Sequence, residues 1–149
     1  MSLRPARVLA VIVAALVLGA CAIGPTPTPK PECPTAPPTA AEAPGVIGDT
    51  TALEVRTDMG NFTIELDDSS APIAVANFVA LAACGFYDGQ SFHRVVPGFV
   101  AQAGDPQTKV NQGDFAGIGT GGPGYQFEIE LPPESTSYPK YMVAMANAM

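Results

Sequence analysis

Basic side chains are scarce in this chain. Its 149 residues carry 7 Lys and Arg against 14 Asp and Glu. From Asp49 onward only Arg56, Arg94, Lys109 and Lys140 face 12 acidic residues, a net charge of −8. A nucleic-acid partner needs a basic footprint, so none is expected; the acidic surface otherwise does little more than keep a domain soluble. Cysteine is short as well, and three thiols (Cys21, Cys33, Cys84) make no disulfide framework. The single histidine, His93, has no cysteine or second histidine at ligand spacing. It reads as a hydrogen-bonded structural residue, and no metal or other cofactor is expected. Asp67, Asp68, Glu128 and Glu130 lack any accompanying histidine and read as solvated surface charges. No apolar run is long enough to cross a bilayer comfortably: residues 8–23 give 16 positions, against roughly 20 for a span.

What is present falls into three parts. Residues 1–7 carry Arg4 and Arg7, residues 8–18 are an unbroken apolar run, and Leu18-Gly19-Ala20-Cys21 follows. A positive start, a short apolar core and small residues before a cut describe an export signal. The ending resembles the bacterial lipobox, in which the cysteine becomes the lipidated first residue. Residues 1–21 are therefore expected to be a lipoprotein signal, with an uncleaved membrane anchor as the alternative. Residues 22–48 hold 8 prolines in 27 positions, a composition for a disordered, extended, polyproline-like linker that holds a domain away from a membrane. Residues 49–149 leave room for one folded domain.

In that domain 53–56 and 62–66 read as strands, the second with Phe62, Ile64 and Leu66 alternating against Thr63 and Glu65. The turn cluster 58–61 makes them a hairpin. Ser69 and Ser70 are candidate helix caps, Pro72 suits the first helical turn, and Ala74, Phe78 and Leu81 recur at helical spacing before Gly85 stops the helix. Asn77 and Phe78 read as ordinary helix positions. Two further strands are expected at 92–96 and 99–103, and a last one at 141–145. A Cys33–Cys84 bridge is compatible with an oxidising compartment, but a buried free Cys84 near the helix end is the favoured reading. The run Gly117-Ile118-Gly119-Thr120-Gly121-Gly122 satisfies the Gly-x-Gly-x-x-Gly pattern formally. It opens no helix, since Pro123-Gly124 and extended chain follow, so a dinucleotide site is rejected.

The segment Phe92-His93-Arg94-Val95-Val96-Pro97-Gly98-Phe99-Val100-Ala101-Gln102-Ala103-Gly104-Asp105-Pro106 closely resembles the signature of the cyclophilin-type peptidyl-prolyl isomerases. The Gly-Thr-Gly-Gly-Pro-Gly-Tyr stretch at 119–125 is similar to a loop common in bacterial members. The resemblance covers about Thr51 to Ala148. It implies a mainly β fold, a closed barrel of eight strands with two capping helices, of which this sequence supplies five or six strands and one clear helix. Family members continue past the Met-Ala-Asn-Ala segment with further strands and pocket residues, so the chain reads as the N-terminal portion of a longer one, truncated at its C-terminus.

The resemblance also implies a function: cofactor-free rotation about Xaa-Pro bonds, assisting the folding of exported proteins. By it, Arg94 and Gln102 are catalytic, Phe99 and Val100 line the proline pocket, and Ala146 and Asn147 dock the substrate backbone. Val100 stands where methionine is usual, and Ala103 where glycine is customary. The chemistry suits these residue types. The amide barrier of about 18–20 kcal/mol comes from resonance, so a site must favour the twisted amide whose proline nitrogen has regained its lone pair. A guanidinium is always charged and presents fixed donors; aimed at that nitrogen it binds the twisted state better than the planar one. The expected partners are proline-containing polypeptides and, through Cys21, a membrane outside the cytoplasm; the expected state is a monomer. The alternative is a non-catalytic proline-peptide-binding or scaffolding lipoprotein with an incomplete cyclophilin fold.

Overall fold

The computed structural model describes residues 28–110, 117–132 and 136–146. The element order is α1 (Ala43–Ile47), β1 (Ala52–Thr57), β2 (Gly60–Glu65), α2 (Pro72–Cys84), β3 (Arg94–Val96), β4 (Val100–Gln102) and a single 3-10 turn (Pro106–Lys109). β1 and β2 form one antiparallel pair, with Leu53 opposite Ile64 and Val55 opposite Phe62. The ladder runs on through Leu66, whose N–H donates to the Thr51 carbonyl at 2.9 Å. β3 and β4 form a second, separate pair.

The incomplete barrel of five or six strands and one helix is met only in part: among the described residues four strands lie in two hairpins, no sheet closes, and α1 adds a second helix. The strand expected at 141–145 is absent: Met142 N–H donates back to Pro139 carbonyl at 3.1 Å and Tyr141 has a φ of +75°. The chain turns there, and the alternation of the segment finds no partner strand among the described residues. Residues 125–130 likewise enter no ladder.

Helix α2 has apolar residues on nearly all sides, so it must be covered on more than one face. One cover comes from α1, where Ala43 and Ile47 pack with Ala76 and Val75. The stretch up to Gly48 is therefore not uniformly extended, because its last turn has an apolar face to bury. The other cover is polar at one point: Asn77, only 2% exposed, accepts a 2.7 Å hydrogen bond from the Tyr125 hydroxyl. Asn77 is thus a bridging group rather than an ordinary helix position.

The two ends of α2 are satisfied differently. Gly85 takes the left-handed conformation at φ +80°, and its N–H and that of Phe86 return to Ala82 and Leu81 carbonyls, a Schellman-type stop. At the other end the expected serine caps do not act on the helix. Ser69 and Ser70 donate to the Asp67 carboxylate instead, which holds that carboxyl below its ordinary range. The free helix donors at Ile73 and Ala74 go to Glu130, at 3.0 and 2.8 Å. Glu130 is therefore not a solvated charge. A full negative charge at a helix N-terminus is favoured by the helix dipole as well as by the two bonds.

Cys84, at the last position of α2, is disulfide-bonded to Cys33, with Cα atoms 5.1 Å apart. The favoured reading of a free, buried thiol is corrected. Beyond Gly85, Tyr87 packs against Phe78 with centroids 5.3 Å apart and edge-on to Phe86 at 5.2 Å. Burial, with the neighbouring Tyr125, pushes its phenol up to about 12 from 10. A raised folded value means that the stabilisation is whole below pH 10 and is lost as pH rises toward 12. Wild type should therefore lose about 2–3 kcal/mol across that window, and Tyr87→Phe should not show this component. Urea unfolding midpoints between pH 9 and 12 would show it, and parallel curves for the two proteins would remove the assignment.

Candidate active site

The β3–β4 hairpin is built by its turn. Val96-Pro97-Gly98-Phe99 closes with a 3.0 Å bond from Phe99 N–H to Val96 carbonyl. Pro97 supplies the preset φ of the first corner, and Gly98 at φ +76° occupies the left-handed second corner. The resulting register places Arg94 opposite Gln102 and Val96 opposite Val100. Directly paired residues share a face of a sheet, so Arg94, Val96, Val100 and Gln102 lie on one side.

Arg94 is exposed. Its Nη1 stands 3.5 Å from Gln102 Oε1, at the long limit of a hydrogen bond. Its guanidinium carbon lies 5.7 Å from the centroid of Phe99, within the range of a cation–π contact. These contacts orient the guanidinium while leaving most of its donors uncommitted. Phe99 is 77% exposed, an apolar ring held beside a cation and open to an incoming group. Together with His93, Ile118, Gly119 and Thr120, Arg94 and Gln102 line an open pocket of about 430 Å³.

The far wall of that pocket is set by Asp105. Its carboxylate, 2% exposed, accepts from Gln107 N–H at 2.8 Å, from Gly121 N–H at 3.0 Å and from Gly119 N–H. Burial alone would push this carboxyl up, but the three backbone donors outweigh it and hold it below the ordinary carboxylate range. Thr108 adds a second tie, donating to Asp105 carbonyl at 2.7 Å and accepting from Ser91 N–H at 3.1 Å. Asp105 and Thr108 therefore join the entry to β3, the exit from β4 and the glycine-rich loop.

Glycine is required in that loop on two grounds. A Cβ on Gly121 would fall 2.3 Å from Asp105 Oδ1, and Gly119 has a φ of +102°. The loop is an anion cradle whose anion is the chain's own Asp105, which is why it resembles a phosphate-binding glycine run without being one.

Sequence reasoning places Arg94, Gln102 and Phe99 together, and the hairpin brings Arg94 beside both, although Phe99 does not itself line the pocket. Val100 is half-buried on the same face without lining the pocket. Ala146 is exposed and does not line it either. Asn147 and Cys21 lie outside the described residues. His93 lines the pocket, yet neither ring nitrogen has a hydrogen-bond partner among the described residues, so its expected role as a hydrogen-bonded structural residue is corrected. Asp105, Gly119, Gly121 and Thr120 were missed as site-building residues. The signal available was an acid inside the motif itself, flanked by Gly104 and Pro106, together with a distant run dense in free backbone N–H groups.

Residues 52–149 match the model of the family described as cyclophilin type peptidyl-prolyl cis-trans isomerase/CLD. A peptidyl-prolyl cis-trans isomerase of Helicobacter pylori (strain ATCC 700392 / 26695) is 40% identical over 102 residues, covering 68% of this chain and 57% of that protein. Peptidyl-prolyl cis-trans isomerase A of Mycobacterium tuberculosis is 41% identical over 114 residues, covering 66% of this chain and 58% of its own length. Peptidyl-prolyl cis-trans isomerase B of Bacillus subtilis is 43% identical over 91 residues, covering 61% and 57%. No solved structure matches the chain. The chain belongs to the cyclophilin-type peptidyl-prolyl cis-trans isomerase family, and it spans rather more than half the length of these relatives.

Proposed function

We propose that this chain is a peptidyl-prolyl cis-trans isomerase that acts on Xaa-Pro bonds of exported polypeptides while held outside the cytoplasm by a lipid on Cys21. The observation that carries the catalytic part is the Arg94–Gln102 register pair, facing an open pocket beside the exposed ring of Phe99. The proline ring rests against Phe99, Gln102 holds the carbonyl side, and Arg94 donates to the nitrogen as the amide twists. No proton is transferred and no covalent bond is broken.

Two observations support the location. The Leu18-Gly19-Ala20-Cys21 ending follows a charged start and an apolar core, and the Cys33–Cys84 disulfide belongs to an oxidising compartment. Among the described residues no helix is long and apolar enough to cross a membrane.

The test is exchange spectroscopy on a proline-containing peptide with and without the full chain. Acceleration of cis–trans exchange without added cofactor is expected. Saturable peptide binding with no change in exchange rate would instead make the chain a proline-peptide-binding module. Mass analysis of chain isolated from membranes should show Cys21 as a lipid-modified first residue, and Cys21→Ser should abolish membrane retention.

A further inference from the structure

Residues 28–48 precede the part of the chain that matches the family, yet they are fastened along α2 in several places. Cys33 is bonded to Cys84 at the end of the helix. Lys30 makes an ion pair with Asp88, just past Gly85. Near the other end, α1 lays Ala43 and Ile47, 0% and 5% exposed, against Val75 and Ala76. Between these points Pro34, Pro37 and Pro38 enclose a shallow groove with Ala80 and Val46. One face of the helix is thus followed by the arm from its first turn to its last residue.

The contacts are unequal. An isolated helix of five residues, the length of α1, does not persist. The Lys30–Asp88 pair is exposed on both sides and contributes little. The disulfide is the contact that does not depend on marginal packing.

We propose that Cys33–Cys84 is an oxidation-dependent clamp that makes the proline-rich arm a structural part of the domain and sets the length of its tether. Closure joins the two sulfurs and releases two protons and two electrons. The electrons pass to a disulfide-bearing thiol oxidoreductase, which is itself reduced to a dithiol. The consequence for the tether rests on the lipid anchor proposed above. With the clamp closed, 11 residues separate Cys21 from Cys33, a reach of about 37 Å for polyproline-like chain. With it open, the tether extends at least to Ala43, and the reach grows to about 68 Å. The clamp therefore holds the Arg94 pocket within roughly half the distance from the membrane that the linker alone allows.

The experiment uses the full chain exported into an oxidising compartment. Peptide mapping without reductant should give one linked pair containing Cys33 and Cys84, and both cysteines should resist alkylation. A broad-specificity protease should spare residues 28–48 in the oxidised chain and cut them in the reduced chain, with the midpoint of thermal unfolding lower by roughly 10 °C. Cys33→Ser, Cys84→Ser and the double variant should all behave as the reduced chain, the double variant excluding damage from one unpaired thiol. Free alkylation of both cysteines would overturn the clamp. So would equal protection of the arm in oxidised chain and double variant. None of these readouts involves lipid or isomerisation. A closed clamp on a soluble chain would sink the proposed anchor and the tether length with it, and on an inactive chain the proposed catalysis, while the clamp on the arm would stand in both cases.

Discussion

Arg94→Ala is expected to lower kcat/KM for Xaa-Pro exchange by on the order of 100-fold, or about 3 kcal/mol of transition-state stabilisation. The size follows from the role. In the proposed mechanism the guanidinium meets the proline nitrogen only after the amide has twisted, so its loss falls on the transition state and not on peptide binding. KM should therefore stay nearly constant while kcat falls. Stability should change by less than about 0.5 kcal/mol, because the side chain is exposed and holds only a long contact to Gln102 and a cation–π contact to Phe99. Arg94→Lys is the informative companion. It keeps the charge but loses the planar fork that reaches Gln102 and the substrate together, so it should recover little of the rate. Full activity in Arg94→Ala, measured on chain with an unchanged unfolding midpoint, would sink this mechanism.

The parts of the fold that local rules govern were legible in the sequence. Alternation over 62–66 and the Asp58-Met59-Gly60 turn give the first hairpin, and the structure pairs Thr57 with Gly60 around it. Pro97-Gly98 gives the second, and with it the meeting of Arg94 and Gln102. Gly85 stops α2 where its φ of +80° requires a residue without a side chain. The parts that were not legible depend on partners far along the chain. Glu130 satisfies α2 across more than fifty positions, and composition alone cannot tell such a carboxylate from a solvated one. The same holds for Tyr125 on Asn77 and for Cys33 on Cys84. Proline content suggested an extended arm, and propensity gave no sign that Ala43 and Ile47 would find an apolar groove. Strand expectations at 141–145 failed for the converse reason, since alternation makes a strand only where a neighbouring strand accepts its hydrogen bonds.

Asp105 is the residue whose change should cost the fold most. Three backbone N–H groups converge on its buried carboxylate, and hydrogen bonds to a charged group are worth more than neutral ones. Asp105→Asn keeps the shape but turns an NH₂ toward backbone donors on one side or the other. At least one N–H then loses its acceptor inside the protein, and a loss of roughly 2–4 kcal/mol is expected. Gly121→Ala attacks the same junction from the loop side. Its Cβ would meet Asp105 Oδ1 at 2.3 Å and Gln107 Nε2 at 3.0 Å, and the Asp105 carboxylate cannot withdraw without breaking the backbone bonds that position it. Both variants should displace Gly119 and Thr120 from the wall facing Arg94, so peptide affinity should fall along with stability, unlike the effect of Arg94→Ala. The two effects separate by pH. Because the folded carboxyl lies below its ordinary value, its contribution is whole above about pH 4 and disappears as pH falls through the folded value. Wild type should therefore lose stability steeply below pH 4, whereas Asp105→Asn, already weakened, should show a shallower acid limb. Denaturant titrations at pH 7, 5, 4 and 3 measure both curves, and acid limbs of equal slope would show that Asp105 does not hold the loop as a carboxylate.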